Sequence, residues 1–140
     1  MERLIKRLEK LESNRVAMEI LPERLKELEA AADGLRAQKI NGVQVTGGGG
    51  DPAEALTANI EERARLGEKV RGIATEVMIL DRALGSLTEE ERLVLELFYI
   101  RRRKDHVGEL KQRLGYESST IYRIKDTALK RLSERLYGAE

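Results

Sequence analysis

The side chains best suited to chemistry in this sequence are cationic and crowd its last third. Arg101, Arg102, Arg103 and Lys104 stand in a row, and Ser118, Ser119, Thr120, Tyr122, Arg123 and Lys125 follow within one short stretch. Such groups neutralise phosphate oxygens, and an arginine among hydroxyl side chains can donate two parallel hydrogen bonds to the major-groove edge of guanine. The 140-residue chain nets only +1, yet residues 101–136 hold eleven basic and five acidic residues, a net of +6. Residues 88–100 hold one basic and four acidic. A local basic segment of this kind points to double-stranded DNA as the partner.

Catalytic chemistry has far fewer parts to draw on. With no Cys and one His, there is no thiolate zinc site, no cysteine nucleophile and no His-based metal or acid–base pair. His106 reads as a cap or surface residue. Glu89, Glu90 and Glu91 could suggest a Mg²⁺ site for phosphoryl transfer, but three adjacent residues point in different directions around a helix, and a first-turn acidic cluster suits the helix dipole. Gly47 to Gly50 could suggest a phosphate loop, but no Lys-Ser or Lys-Thr follows and no strand frames it. An enzyme is the weakest reading, and no cofactor or metal is expected.

Plainer roles stand beside the sharp ones. The run Arg101–Lys104 could be a solvated helix end favouring the C-terminal dipole, although its place before the basic helix raises its value as a phosphate contact. Tyr122 could pack its ring on a neighbouring helix. Arg123, between Ile121 and Ile124, is directed outward by periodicity and is the best candidate for a guanine contact.

The elements that would hold these residues are all helical. Charged residues make up 36% of the chain and aromatics 4%, a composition suited to long amphipathic helices. Leu4, Leu8, Leu11, Met18, Leu21, Leu25 and Leu28 mark a first helix, with a kink or break expected near Leu21 because Pro22 removes a backbone donor. Periodicity is lost over 34–52, which reads as a glycine-rich loop. Asp51-Pro52 reads as an N-cap with proline at the first helical position. A second long helix then carries Leu56, Ile60, Val70, Ile73, Val77, Leu80 and Leu84, so the two stripes predict an antiparallel hairpin, with an intermolecular coiled coil as the competing arrangement.

The C-terminal third has sharper punctuation. Thr88-x-x-Glu91 is a capping box opening a helix with Leu93, Val94, Leu97 and Phe98. Asp105 or His106 caps an eight-residue helix carrying Val107, Leu110 and Leu114, and Gly115 ends it. From Ser118 a last helix runs to about Leu136, with Ile121, Ile124, Ala128, Leu132 and Leu136 inward and Tyr122, Arg123, Lys125 and Lys130 outward. A short helix, a three-residue turn with Gly and a longer basic helix form the helix-turn-helix pattern, in which the second helix presents its first two turns to the major groove.

Leu87-Thr-Glu-Glu-Glu-Arg-Leu-Val-Leu-Glu-Leu, Glu109-Leu-Lys-Gln-Arg-Leu-Gly-Tyr and Ser119-Thr-Ile-Tyr-Arg-Ile-Lys-Asp-Thr-Ala-Leu-Lys-Arg-Leu together resemble the fourth conserved region of bacterial sigma factors, over about fifty residues. The resemblance implies that Ser118, Ser119, Thr120, Tyr122 and Arg123 face DNA. Ser118 and Thr120 stand where Arg is common in that family, and Glu117 where a Ser or Thr cap is common. The order of a leucine-rich helix, Gly47-Gly-Gly-Gly-Asp-Pro52, a second long helix and a sigma-like helix-turn-helix is similar to phage and prophage transcriptional regulators of the RinA and ArpU type. That likeness implies activation of late phage genes for packaging, morphogenesis or lysis.

The sequence thus predicts an all-α chain: residues 1–85 form a hairpin for oligomerisation or docking, and residues 86–140 a helix-turn-helix domain that reads double-stranded DNA. RNA polymerase is a further expected partner, as is a homodimer or higher homo-oligomer. Two rivals stand beside this regulator: the small subunit of a phage terminase, which also joins a helix-turn-helix to oligomerising helices, and a helical module that binds RNA polymerase or a sigma factor without reading DNA. No stretch approaches eighteen consecutive apolar residues and the N-terminus is charged, so neither a membrane span nor a signal peptide is expected and the reading is cytoplasmic.

Overall fold

The computed structural model describes residues 1–41 and 51–139, among which there are five helices and no strand. Helix α1 is Glu2–Asn41 and α2 is Pro52–Gly85. Helix α3, Glu89–Leu95, runs on into a π-helical turn, Glu96–Ile100; α4 is His106–Leu114 and α5 is Ser118–Tyr137. The chain is all-α, as its composition and periodicity predict. None of the described helices is long and apolar enough to cross a membrane.

On α1 the structure excludes a break near Leu21 and corrects where the loop begins. The helix passes through Pro22 without a break. Proline removes one hydrogen bond at a cost of roughly 3 kcal/mol, which the half-buried Leu21, Leu25 and Leu28 of the same stripe offset. Helix α1 also continues to Asn41, so residues 34–41 are helical where a loop was expected. Leu35, Arg36, Ala37 and Gln38 are good helix formers, and Arg36 pairs with Asp33 one turn back at 3.0 Å. The remainder of the glycine-rich loop, 42–50, lies outside the described residues. Beyond it the cap is as expected: Asp51 accepts a hydrogen bond from the Ala53 amide at 3.0 Å and Pro52 opens α2.

By packing, the chain divides into two compact units, Val16–Ala74 and Met1–Arg15 with Thr75–Glu140. The division does not fall at residue 85, where the sequence pattern changes.

The unit Val16–Ala74 is an antiparallel helix pair, as its cross-helix bonds show. Arg24 meets Glu62 at 3.1 Å, and the Leu28 carbonyl, one turn further along α1, accepts from Asn59 Nδ2, one turn earlier on α2, at 2.9 Å. Asn59 is buried here and Ile60 is exposed, reversing the expected stripe. The reason is register: counting back from Leu80 in alternating steps of three and four gives Val77, Ile73, Val70, Leu66, Arg63, Asn59 and Leu56, all buried or half-buried. Asn59 is satisfied at both ends, since its Oδ1 accepts from Arg63 Nε at 2.8 Å. Two helices alone cannot cover their outer flanks, and among the described residues Ala32 is the unit's one fully buried apolar side chain.

The other unit has the larger core, in two clusters. Leu4, Leu8 and Leu11 of α1 pack with Leu80, Ala83 and Leu84 of α2, with Leu87, and with Leu95, Ile100, Ala128, Leu129 and Leu132. The second cluster joins Val94, Leu97 and Phe98 to Leu110 of α4 and Ile121 of α5. Neighbouring positions of α3 feed opposite clusters, so this helix is the wall between them. At its end the Arg101 amide donates to the Glu96 carbonyl at 2.7 Å, five residues back. An ordinary helical continuation would stack Arg101 over Leu97 and Phe98; the wider turn buries Ile100 and delivers Arg101 to solvent.

Candidate nucleic-acid interface

Both helices of the helix-turn-helix are fixed by local chemistry. Asp105 caps α4 by accepting from the Gly108 amide at 3.3 Å, and a Cβ at Gly108 would collide with that carboxylate. Gly115 ends α4 with φ 73° and ψ 21°, the left-handed conformation that costs an L side chain strain. The Gly115 amide donates to the Lys111 carbonyl at 2.9 Å. After Tyr116 and Glu117 the chain enters α5, whose Ile121 drops into the pocket formed by Val94, Phe98 and Leu110. Thr88 and Glu91 form the reciprocal capping box of α3, at 3.1 and 3.2 Å.

With Ile121 and Ala128 buried, the opposite face of α5 is determined. Ser119, Tyr122, Arg123 and Asp126 are exposed, while Ser118 and Thr120 are half-buried. Arg123 forms no ion pair among the described residues. Glu117 holds the N-cap position without a side-chain hydrogen bond, so the first amides of α5 have no carboxylate or hydroxyl on them. Tyr122 packs its ring on a neighbour, meeting Phe98 edge-on at 5.6 Å, and is 46% exposed.

Lys125 departs from the expectation that it points outward. Its side chain is only 20% exposed, with Nζ 2.8 Å from Asp126 and lying over the rings of Tyr122 and Phe98, at 5.8 and 6.0 Å. The hydrogen bond to Asp126 raises its pKa further above the lysine value, against a smaller lowering by burial. Stem packing on an aromatic cluster explains the placement.

The run Arg101–Lys104 does not act as one patch. Arg101 Nε lies 3.0 Å from Glu12 and 3.4 Å from Glu96, and the bond to Glu12 raises its pKa. Arg103 meets Glu109 at 2.8 Å, and Glu109 also takes Arg113 at 3.3 Å. Arg102 and Lys104 are exposed and form no ion pair among the described residues. The structure therefore splits the run into two residues engaged within the protein and two free ones.

Several contacts here had no signal in the sequence. His106 sits edge-on to Phe98 at 4.5 Å, so Phe98 anchors His106 and Tyr122 together. The Tyr116 hydroxyl donates to Glu90 at 2.8 Å, which ties the turn to α3 and raises the phenol pKa. Buried Glu91 adds a bond from Arg131 at 3.2 Å to its capping role. Glu90 and Glu91 thus each have structural partners. No family model matches this chain, and neither a curated protein nor a solved structure is significantly similar to it.

Proposed function

We propose that the protein is a sequence-specific DNA-binding transcriptional regulator, acting on late phage or prophage genes such as those for packaging, morphogenesis or lysis. The observation that carries the DNA-binding part is the face of α5. A left-handed glycine turn sets α5 against α4, and Ile121 and Ala128 lock its inner side, leaving Ser119, Tyr122 and Arg123 on the first two turns open to solvent. A helix in that setting enters the major groove with those side chains at the base edges, Arg123 on guanine O6 and N7. The uncapped amides of α5 suit a phosphate, and Arg102 and Lys104 supply free cationic charge. The late-gene role rests on the resemblance to RinA- and ArpU-type regulators carried by the order of elements.

The test is retention of fragmented host and prophage DNA by the purified protein at moderate salt, followed by sequencing. Enrichment of a site ahead of a late operon is expected. Enrichment at a packaging start would instead favour a terminase small subunit, and uniform or absent retention would favour a module that binds RNA polymerase or a sigma factor.

A further inference from the structure

Two exposed surfaces on this chain are complementary in shape class and charge. The first is a groove of about 320 Å³ between the end of α2 and the end of α5. Its lining is apolar at Met78, Ile79, Ala83 and Leu136 and cationic at Arg82 and Arg135. Met78 is 56% exposed and Ile79 41%, unusually open for large apolar side chains beside a packed core. Neither arginine forms an ion pair among the described residues; Arg135 donates only to the Ser86 hydroxyl, at 3.3 Å.

The second surface lies on α1, in the other compact unit. Val16, Glu19, Ile20, Glu23 and Glu27 recur at steps that place them on one face of the helix, and all five are exposed. Val16 is 43% exposed and Ile20 58%. Among the described residues Glu19 and Glu27 have no ion-pair partner, and Glu23 meets only Lys26 at 3.4 Å, with both side chains largely in water. The face is an apolar pair one turn apart, flanked and followed by three carboxylates.

We propose that the groove takes this α1 stripe from a second copy of the chain, Val16 and Ile20 packing on the apolar lining and Glu19 and Glu23 meeting Arg82 and Arg135. An amphipathic helix presenting anchors at i and i+4 is the natural occupant of such a groove. The charges favour this occupant, since the groove is cationic and the stripe acidic. Each copy carries one groove and one stripe, so the contact needs nothing beyond a second copy of the chain. The groove sits at the C-terminal end of α5, opposite to the turns assigned to DNA, so pairing and DNA binding use separate surfaces.

Charge exchange tests the proposal in the absence of DNA, which keeps its outcome separate from the DNA-binding reading. The full chain with Arg82→Glu and Arg135→Glu carries an acidic groove and an acidic stripe. The chain with Glu19→Arg and Glu23→Arg carries a basic groove and a basic stripe. By sedimentation equilibrium the wild type is expected to rise with concentration from the single-chain 15.9 kDa towards a two-chain mass. Each variant alone is expected to stay at one chain, and the equimolar mixture to recover the two-chain mass. All four side chains are exposed, and unchanged helical circular dichroism confirms that the variants are folded. A wild type that stays at one chain, variants that associate as the wild type does, or a mixture that does not recover would each overturn the proposal.

Discussion

Under the proposed function, Arg123 and the pair Arg102 and Lys104 contact different parts of DNA. Arg123 sits on the helical face fixed by the buried Ile121. On the proposed function, Arg123→Ala costs about 1–3 kcal/mol at the preferred site and little on random DNA, because removing a bidentate pair of hydrogen bonds to guanine removes discrimination. Replacing Arg102 and Lys104 by Ala weakens binding to all sequences alike and flattens the salt dependence, by roughly 0.9 in log–log slope for each phosphate no longer neutralised. Fluorescence anisotropy at several salt concentrations on specific and random duplexes measures both. Equal losses for the two variants on both duplexes would sink this division of labour. Arg101 and Arg103 should count for less in such titrations than their position in the run suggests, since Glu12 and Glu109 already hold them.

Among the elements, the turn between α4 and α5 is the most sensitive. Gly115 adopts a left-handed conformation, and Gly115→Ala is expected to destabilise the fold by about 1–2 kcal/mol from backbone strain alone. Nothing lies within 4 Å of the place its Cβ would occupy, so a steric clash adds no further cost. Thr88→Ala removes one half of the capping box and is expected to cost about 0.5–2 kcal/mol. It leaves the Glu91 amide without the hydroxyl that accepts from it at 3.2 Å, while the Glu91 carboxylate keeps its bond from the Thr88 amide. Urea denaturation followed by circular dichroism reads both changes as shifts of the midpoint at constant slope.

Taken as a whole, the molecule couples its first residues to its last. Leu4, Leu8 and Leu11 are fully buried in the same cluster as Leu95, Ala128, Leu129 and Leu132, more than eighty residues further along the chain. Arg7 reinforces the junction, donating to Glu76 at 2.6 and 2.9 Å and to the Tyr137 hydroxyl at 3.0 Å. Leu8→Ala is therefore expected to cost about 2–5 kcal/mol, the range for a buried leucine whose site cannot collapse. The loss should appear in the helix-turn-helix itself, as reduced amide exchange protection in α3 and α5. An unchanged protection pattern there would show that α1 is dispensable for that unit.

Much of this was legible from residue order alone, because its signals are local. The capping box at Thr88 and Glu91, the Asp51-Pro52 start of α2 and the Gly115 stop are chemistry within a few residues of backbone, and periodicity alone placed Arg123 opposite Ile121. What depends on residues distant in sequence was decided only by the tertiary structure. Lys125 has an outward position by helical count, yet it folds onto a ring from the π-helical turn after α3. The carboxylates that occupy Arg101 and Arg103 are invisible to a reading of charge runs, and Asn59 is buried because the helix-pair register requires a residue there whatever its polarity. The N-terminal leucines announced an amphipathic helix without naming its partner, since a stripe records that a face must be covered and not by what. Local hydrogen bonds and periodicity are encoded residue by residue. The division into units, the assignment of each cation to a carboxylate or to solvent, and the choice of what covers each apolar face are properties of packing.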